Sequence, residues 1–240
     1  MYTTTQIRDA LVAHRPSLVT PGENTRQAAV AVILREHHER TGQSDLLFIQ
    51  RANRDGDPWS GQMAFPGGHR EPEDTSLMAA AMRETYEEIG LSLANAEYLG
   101  ALDHQEARPR GKTLNMLVAP HVFITKDTPD FTPNREVADV VWAPLSTLAG
   151  NSLHDTQTLP MAGNPTVFNG YRLSGGHFVW GLTYRMLKTF FTAVDRGWQP
   201  PLEIDGGSGL ERQPPESGAG ETGSHAGKRG VSDHAVRDTI

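Results

Sequence analysis

The chain contains no cysteine among its 240 residues. It therefore has no disulfide, no thiol nucleophile and no zinc site with cysteine ligands. Long apolar runs are missing as well, since no N-terminal stretch has the apolar core of a secretory signal and no segment is long enough for a membrane span. We therefore expect a soluble cytoplasmic protein with no membrane partner.

Positive charge is also scarce. The 22 lysines and arginines are outnumbered by 29 aspartates and glutamates, which gives a net charge of −7. A nucleic-acid-binding surface needs clustered Lys and Arg to contact phosphates, so we expect no nucleic-acid partner. A small anionic substrate stays compatible with this composition, because bound metal ions can supply positive charge locally.

Aromatic residues are absent after Trp198. The following sequence is rich in Gly, Pro, Ser and Glu, above all at 205–209 and 213–229. Such a composition buries too little apolar surface to offset the conformational entropy that folding removes. The sequence therefore predicts a disordered C-terminal tail over residues 200–240.

The N-terminal region is set apart from the rest by turn residues. Thr5–Ala13 has the spacing of a short amphipathic helix, and the Pro21-Gly22 pair marks a turn after it. Residues 1–24 are thus predicted to form a helix and linker, which leaves 25–195 as one folded domain. The oligomeric state is left open.

Apolar runs between these limits predict strands. Ala28–Leu34 is almost continuously apolar, which is typical of a strand buried on both faces. Further strands are predicted at Leu46–Gln50, Met63–Phe65, Ala96–Leu102, Leu114–Ile124 and Val137–Trp142. A last helix is predicted from the spacing of Leu187, Phe190, Phe191 and Val194. Strands interleaved with helices indicate an α/β protein with a mixed sheet and helices on both of its faces.

The most informative motif begins at Phe65-Pro66-Gly67-Gly68 and ends with the acidic segment 83–91. It predicts a strand, a glycine turn, a loop and a helix that ends at Gly90. On that helix Glu84, Glu87 and Glu88 project from neighbouring positions. Like charges at this spacing weaken a helix, and its dipole disfavours anions near the C-terminus. A solvated acidic face is one explanation; a Mg²⁺-type site for phosphate chemistry is the other, and the one we favour.

The start of this helix is also predicted. Asp74, after a proline, is a plausible N-cap, and Leu77, Ala80, Ala81 and Tyr86 could supply a buried stripe. Arg83 can orient one of the carboxylates through a bidentate pair.

These residues resemble the Nudix box. The matching positions are Gly68, Asp74, Arg83-Glu84, Glu87-Glu88, Gly90 and Leu91. Asp74 replaces the usual glutamate, and the stretch from Asp74 to Arg83 is longer than the general pattern. The resemblance implies a Nudix-type α-β-α sandwich and a hydrolase that uses Mg²⁺ or Mn²⁺ to cleave the pyrophosphate bond of a small nucleotide substrate.

The coenzyme A diphosphatase branch of that family has a similar aspartate and a similarly lengthened loop. Further similar positions are Leu47, Arg51-Ala52, Gly61, 65–68, Val118–Val122 and Trp180–Thr183, whereas Ile49 and Gly56 stand where the branch has Thr and a second Arg. The branch implies coenzyme A or acyl-CoA as substrate, with 3′,5′-ADP and 4′-phosphopantetheine as products. ADP-ribose or NADH hydrolysis and a non-catalytic nucleotide-binding domain are the alternatives.

The resemblance also implies roles for individual residues. Glu84 and Glu88 would be the principal metal ligands, followed by Glu87 and the Gly67 carbonyl. Glu87 or Glu136 would take the proton of the attacking water, and neither is preferred. Arg83 joins the catalytic group. The predicted substrate-binding residues are Arg51, Arg54, Arg70, Gly67 and Gly68. A surface salt bridge for Arg51 and a solvated strand-edge charge for Glu136 are equally compatible with the sequence.

Overall fold

The computed structural model describes residues 2–36, 42–55, 59–107, 115–126, 130–161 and 164–204. The helices are α1 (Thr4–Ala13), α2 (Leu77–Ile89), α3 (Leu145–Ala149) and α4 (Gly181–Val194). The strands are β1 (Arg26–Glu36), β2 (Ser44–Arg51), β3 (Met63–Ala64), β4 (Gly67–His69), β5 (Glu97–Ala101), β6 (Gln105–Glu106), β7 (Met116–Ile124), β8 (Val137–Pro144), β9 (His154–Met161), β10 (Asn164–Arg172) and β11 (Phe178–Trp180). No helix in the described ranges is long and apolar enough to cross a membrane.

The larger sheet is mixed, as predicted. Its main strand order is β3-β2-β1-β7-β5, and β8 pairs with β2. Strand β1 runs parallel to β7 along one edge. Along its other edge, it pairs antiparallel with β4 at Ala28–Val30 and with β2 at Leu34–Glu36. This division brings the glycine turn of β4 beside the centre of the sheet.

The two faces of β1 enter different apolar layers, because successive side chains of a strand point to opposite faces. Ala29, Ala31 and Ile33 belong to the layer that contains Ala80 and Ala81 of α2. The layer on the other face contains Ala28, Val32 and Leu34 of β1, Ile7 of α1, and Leu187 and Phe190 of α4. The predicted α-β-α sandwich is therefore confirmed.

Helix α2 differs from its prediction at two positions. Its N-cap is Ser76, whose Oγ accepts a hydrogen bond from the Ala79 amide at 3.0 Å, so the prediction for Asp74 was wrong. Tyr86 is 61% exposed, so it is no part of the buried stripe. The stripe continues instead through Thr85 and Glu88, which are buried at helical spacing from Ala81. The predicted glycine end of α2 is confirmed, since Gly90 has φ 72°.

A second antiparallel sheet, in the order β11-β10-β9, was not predicted. At its end, the Thr183 hydroxyl near the start of α4 donates to the Met63 carbonyl of β3 at 3.1 Å. This buried contact ties α4 to the strand that leads into the glycine turn. Thr183, in the segment Trp180–Thr183 noted in the sequence, therefore has a structural contact.

The tail was predicted to start at residue 200, but the chain contacts the folded domain up to residue 204. The Tyr184 hydroxyl donates to Glu203 Oε1 at 3.1 Å, and the Ile204 amide donates to Asn169 Oδ1 at 3.0 Å. The rest of the predicted tail, 205–240, lies outside the described residues, as do Leu114 and Gly56.

Candidate functional site

The last turns of α2 bring two of the predicted ligands against the glycine turn. Glu88 is only 3% exposed, and its Oε2 accepts a hydrogen bond from the Gly67 amide at 2.8 Å. The carboxylate of Glu84 occupies the space beside Gly68, where an added Cβ would lie 2.4 Å from Glu84 Oε1. The structure therefore brings Glu84, Glu88, Gly67 and Gly68 together, as the sequence predicts.

Glycine is required at position 67 by the backbone itself. Its φ is 152°, and an added Cβ would lie 2.2 Å from the Ala29 carbonyl oxygen and 2.6 Å from Val30 Cα. Real side chains do not approach backbone atoms so closely. The absent side chain thus allows β4 to pair with β1 and directs the Gly67 amide at Glu88.

Arg83 organises the opposite side of the carboxylates. Its guanidinium pairs with Asp74 through two bonds of 3.1 and 3.0 Å. Its Nη1 lies 3.2 Å from Glu84 Oε1 and also 3.2 Å from Glu87 Oε2. The predicted orienting role of Arg83 fits this geometry, but its bidentate partner is Asp74. The hydrogen bonds from Arg83 hold the pKa of Asp74 below its ordinary value.

We call the carboxylates of Glu84 and Glu88 the inner carboxylates. Burial disfavours their charged forms, and the neighbouring protein groups offset this only in part. Burial raises the pKa of Glu88 to about 8; the Gly67 amide and the charge of Arg51 oppose this rise, whereas Glu84 and Glu136 add to it. Burial also raises the pKa of Glu84, against the effect of Arg83. A cation beside them would favour their charged forms.

The predicted ligand set is only partly assembled. Glu87 has a half-exposed side chain directed to Arg83. Within the described ranges, no three Asp, Glu or His side chains are placed to share one ion. The donors nevertheless fit the metal in kind, because carboxylate and carbonyl oxygens are the ligands that Mg²⁺ and Mn²⁺ prefer. The partly buried Glu84 and the buried Glu88 are the part of the site that fits such an ion.

Glu136 reaches the same region through the loop before β8. The Asn134 amide donates to the Glu88 carbonyl at 2.8 Å, and Asn134 Oδ1 accepts from the Glu136 amide at 2.7 Å. The Ala52 amide donates to the Glu136 carbonyl at 2.7 Å, and the Arg54 Nη1 lies 3.0 Å from Glu136 Oε1. Sequence reasoning missed Asn134; its only signal is the tendency of Asn to bond nearby main-chain groups in turns.

The three arginines predicted to bind substrate, Arg51, Arg54 and Arg70, lie beside different carboxylates of the site. Arg51 lies at the end of β2, and its charge acts on the pKa of Glu88. Arg70 donates to the Asp74 carbonyl, with Nη2 at 3.2 Å, so it lies beside the Arg83 network. The structure thus relates Arg51 to Glu88, Arg54 to Glu136 and Arg70 to the Arg83 side of the site.

Comparison with known proteins gives a match to the NUDIX domain family over residues 25–161. A protein called NudL, an uncharacterised Nudix hydrolase of Enterobacter sp. strain 638, is 31% identical over 78% of this chain and 91% of its own. An uncharacterised protein of Schizosaccharomyces pombe, C14C4.10c, is 36% identical over 54% of this chain, but the match spans only 45% of that protein.

Matches to solved structures have lower identity. A MutT/nudix family protein from Enterococcus faecalis has a TM-score of 0.49 and 18% identity, over 80% of this chain and 70% of that one. A Caenorhabditis elegans Ap4A hydrolase has a TM-score of 0.43 and 20% identity, over 52% of this chain and 85% of that one.

Proposed function

Because the chain belongs to the Nudix domain family, we propose that it is a metal-dependent diphosphatase of coenzyme A or acyl-CoA. At the level of the family, it is a hydrolase that acts on pyrophosphate bonds of nucleoside diphosphate derivatives. Cleavage of coenzyme A would give 3′,5′-ADP and 4′-phosphopantetheine. The observation that carries the proposal is the pair of inner carboxylates, Glu84 and Glu88, held between the glycine turn and Arg83.

Glu84 and Glu88 would hold Mg²⁺ or Mn²⁺, with Glu87 and the Gly67 carbonyl as further ligands. Such an ion supplies positive charge to the phosphates and lowers the pKa of bound water. The protein's own part is to position the carboxylates: Arg83 contacts Glu84, and the Gly67 amide contacts Glu88. Burial of Glu88 keeps bulk water from one side of the pair.

Two carboxylates stay available to accept the proton of the attacking water. Glu87 lies beside Arg83, and Glu136 lies beside Arg54. Both pairs are partly exposed, so either carboxylate can exchange its arginine for water or substrate at small cost. Replacing each by Gln and comparing kcat over a range of Mg²⁺ concentrations tests which one accepts the proton. Loss of the acceptor lowers kcat at saturating Mg²⁺ with little change in KM, whereas loss of a ligand also raises the Mg²⁺ concentration that activity requires.

The coenzyme A assignment is supported by the resemblance through Arg51, Gly61 and the glycine turn. Discrimination must come from groups outside the diphosphate, because the metal site treats the diphosphate of every such substrate alike. Arg51 at the end of β2, and Arg54 and Arg70 in loops, are the cations suited to the 3′-phosphate of coenzyme A. ADP-ribose or NADH is the second candidate substrate, because the branch's second arginine position holds Gly56.

The reaction class is tested with Glu84→Gln. Removing this carboxylate's charge should lower kcat at least about 100-fold, because transition-state charge stabilisation of this kind is worth several kcal/mol. The midpoint of thermal unfolding should stay close to that of the wild type. Glu23→Gln, at an exposed glutamate of the N-terminal linker, is the matched control and should keep full activity. Near wild-type turnover by Glu84→Gln would overturn the assignment of this carboxylate.

The substrate is tested with a panel of coenzyme A, its 3′-dephospho form, ADP-ribose and NADH, each with Mg²⁺ and Mn²⁺. Coenzyme A should have the highest kcat/KM. Faster cleavage of both dephospho-coenzyme A and ADP-ribose would contradict the branch and leave the family intact. Tight binding in EDTA with no product after Mg²⁺ is added would instead indicate a non-catalytic binding domain.

A further inference from the structure

The loop that carries Glu136 is joined directly to the end of α2. The Thr132 amide donates to the Ile89 carbonyl at 2.9 Å, and the Asn134 amide donates to the Glu88 carbonyl at 2.8 Å. These carbonyls have no partner inside the helix, because the last four carbonyls of an α-helix lie beyond its hydrogen-bonding ladder. The loop amides therefore fix the loop relative to Glu88.

Asn134 extends this connection to Glu136 through its side chain. Its Oδ1 accepts a hydrogen bond from the Glu136 amide at 2.7 Å, and its main-chain carbonyl accepts one from the Val137 amide at 3.2 Å. The first bond joins a side chain to the amide two residues later, which is the contact that asparagine favours in turns. Asn134 thus bonds to Glu88 through its amide and to Glu136 through its side chain.

The main chain of Glu136 is held from its other side as well. Its carbonyl accepts a hydrogen bond from the Ala52 amide at 2.7 Å. Ala52 directly follows β2, which pairs with β8 as far as Arg51 and Val137. Both polar main-chain groups of Glu136 are therefore engaged, one by Asn134 and one by the end of β2. The bond from Asn134 is made by a side chain, so a side-chain substitution can remove it alone.

The carboxylate of Glu136 is held less firmly than its main chain. Its Oε1 lies 3.0 Å from Arg54 Nη1, and the side chains of Glu136 and Arg54 are 36% and 40% exposed. Ion pairs at such exposure contribute little, since water competes for both groups. The charge of Glu136 also contributes to the raised pKa of Glu88, so the two carboxylates are within electrostatic reach. Glu136 therefore combines a fixed main chain with a carboxylate that can leave Arg54.

We propose that Asn134 is a positioning residue, which sets the main chain of Glu136 relative to Glu88 so that the Glu136 carboxylate can accept the proton of the attacking water. The proposal rests on the function proposed above, in which Glu136 is one of two candidate acceptors. In this role Asn134 acts through Glu136 and does not contact the reacting atoms. A proton acceptor must lie within hydrogen-bond reach of the water, and misplacing it by about 1 Å is costly.

The positioning is tested without catalysis, by amide hydrogen exchange in EDTA. Asn134→Ala removes Oδ1 but keeps the main-chain bond to the Glu88 carbonyl. Exchange at Ala52, whose partner is the Glu136 carbonyl, should become at least about tenfold faster, since this bond opens more often when Glu136 is held from one side only. Exchange at Gly67, whose partner is Glu88 Oε2, should stay as in the wild type. Unchanged exchange at Ala52 would overturn the positioning role, and this readout stands whether or not the chain cleaves coenzyme A.

The catalytic consequence is tested by kinetics on the best substrate of the panel. Asn134→Ala should lower kcat at least about tenfold with little change in KM. The Mg²⁺ concentration that activity requires should not change, because this substitution leaves the contacts of Glu84 and Glu88 in place. Asn134→Asp keeps an oxygen that can accept from the Glu136 amide, so it should recover kcat to within about threefold of the wild type. Failure of this rescue, or a higher Mg²⁺ requirement, would contradict the proposal.

A double-variant cycle with Glu136→Gln separates positioning from other effects of the substitution. If Asn134 acts through Glu136, Asn134→Ala should change kcat by less than about twofold once Glu136 has lost its carboxylate. A similar loss in both backgrounds would show that Asn134 acts by another route. Full activity of Glu136→Gln would also overturn the proposal, but it would leave the hydrolase assignment, which is tested at Glu84, intact.

The matched control is Asp195→Ala, at the end of α4 on the opposite face of the larger sheet. Asp195 Oδ1 accepts a hydrogen bond from the Gly197 amide at 2.8 Å, so the same kind of bond between a side-chain oxygen and the amide two residues later is lost. The Tyr2 hydroxyl loses its partner as well. Asp195→Ala should thus destabilise the protein at least as much as Asn134→Ala but keep the kcat of the wild type. Equal loss of kcat in the two variants would indicate reduced stability as the cause and would contradict the positioning role.

Discussion

At the scale of single residues, the site depends on two adjacent glycines, Gly67 and Gly68, whose missing side chains leave room for different neighbours. At position 67, an added methyl group would meet the backbone of β1, whereas at position 68 it would meet the carboxylate of Glu84. Backbone atoms of a central strand cannot move aside, but the end of a flexible side chain can. If Glu84 has its proposed role, we expect substitution at position 67 to affect folding and substitution at position 68 to affect catalysis.

Gly68→Ala should fold and lose activity. The new Cβ displaces the Glu84 carboxylate, so we expect kcat to fall at least about tenfold, because misplacing a catalytic group by about 1 Å is costly. The free energy of unfolding should change by less than about 1 kcal/mol. Kinetics with Mg²⁺ and urea denaturation measure the two effects.

Gly67→Ala is the paired variant and should behave in the opposite way. Clash with β1 and the unfavourable φ should lower the free energy of unfolding by about 3 kcal/mol or more. If Gly67→Ala were as stable as Gly68→Ala, the tight approach of β4 to β1 would be wrong.

At the scale of elements, the position of the acidic residues of α2 depends on the caps at the two ends of the helix. Ser76 caps the first turn, and Gly90 ends the last one in the left-handed conformation. The Thr132 amide donates to the Ile89 carbonyl at 2.9 Å, and the Asn134 amide donates to the Glu88 carbonyl at 2.8 Å. These bonds satisfy terminal carbonyls of the helix and connect it to the loop that carries Glu136.

Gly90→Ala should lower the free energy of unfolding by about 2–3 kcal/mol. A left-handed non-glycine residue costs about 1 kcal/mol, and the added Cβ would also lie 2.0 Å from Thr132 Oγ1. Combining it with Thr132→Ala removes the clash and should recover all but about 1 kcal/mol. Urea denaturation of the two single variants and the double variant measures this. Simple additivity of the single effects would contradict the contact.

The end of α2 shows how far local sequence reasoning reaches. A glycine after the last turn is recognised from the sequence, because few other residues adopt its backbone conformation. The start was misplaced by two residues, since Asp74 and Ser76 are both good caps by type. Only the folded chain shows that Arg83 engages Asp74 and leaves the cap to Ser76.

At the scale of the whole molecule, the sheet also buries a titratable group on β7, where His121 pairs with Ala31 of β1. His121 is 8% exposed, and its Nδ1 lies 3.0 Å from the Tyr98 hydroxyl. Burial, with a contribution from His104, lowers the pKa of His121 from 6.5 to about 4. The folded protein therefore keeps this imidazole neutral.

His121 should make stability depend on pH. Between pH 6.5 and 4, the unfolded chain binds this proton and the folded chain does not. Its contribution of about 3 kcal/mol is thus complete above pH 6.5 and is lost as the pH falls toward 4. In urea denaturation at a series of pH values, His121→Gln should lack this part of the decline. Parallel curves for the two proteins would contradict the burial of a neutral imidazole.

The sequence by itself determined six strands of the larger sheet, its two covered faces and the acidic end of α2, but not the short strands β4 and β6. These features have strong local signals: β1 is apolar at consecutive positions, and Gly90 has few substitutes. The second sheet has weak local signals, because β9 reads His-Asp-Thr-Gln-Thr-Leu-Pro-Met, without a clear alternation. Its pairing with β10 is stabilised by contacts that a single segment does not reveal.

Only the tertiary structure decided which polar groups meet. Spacing on a helix brings Glu84, Glu87 and Glu88 near each other, but it does not say that Glu88 is buried against Gly67 while Glu87 stays half exposed beside Arg83. Nor does it join Arg54 to Glu136, since their pairing depends on where two loops meet. The physical reason is range: helix periodicity and turn conformation act between near neighbours, whereas burial and ion pairing depend on residues that the fold brings together.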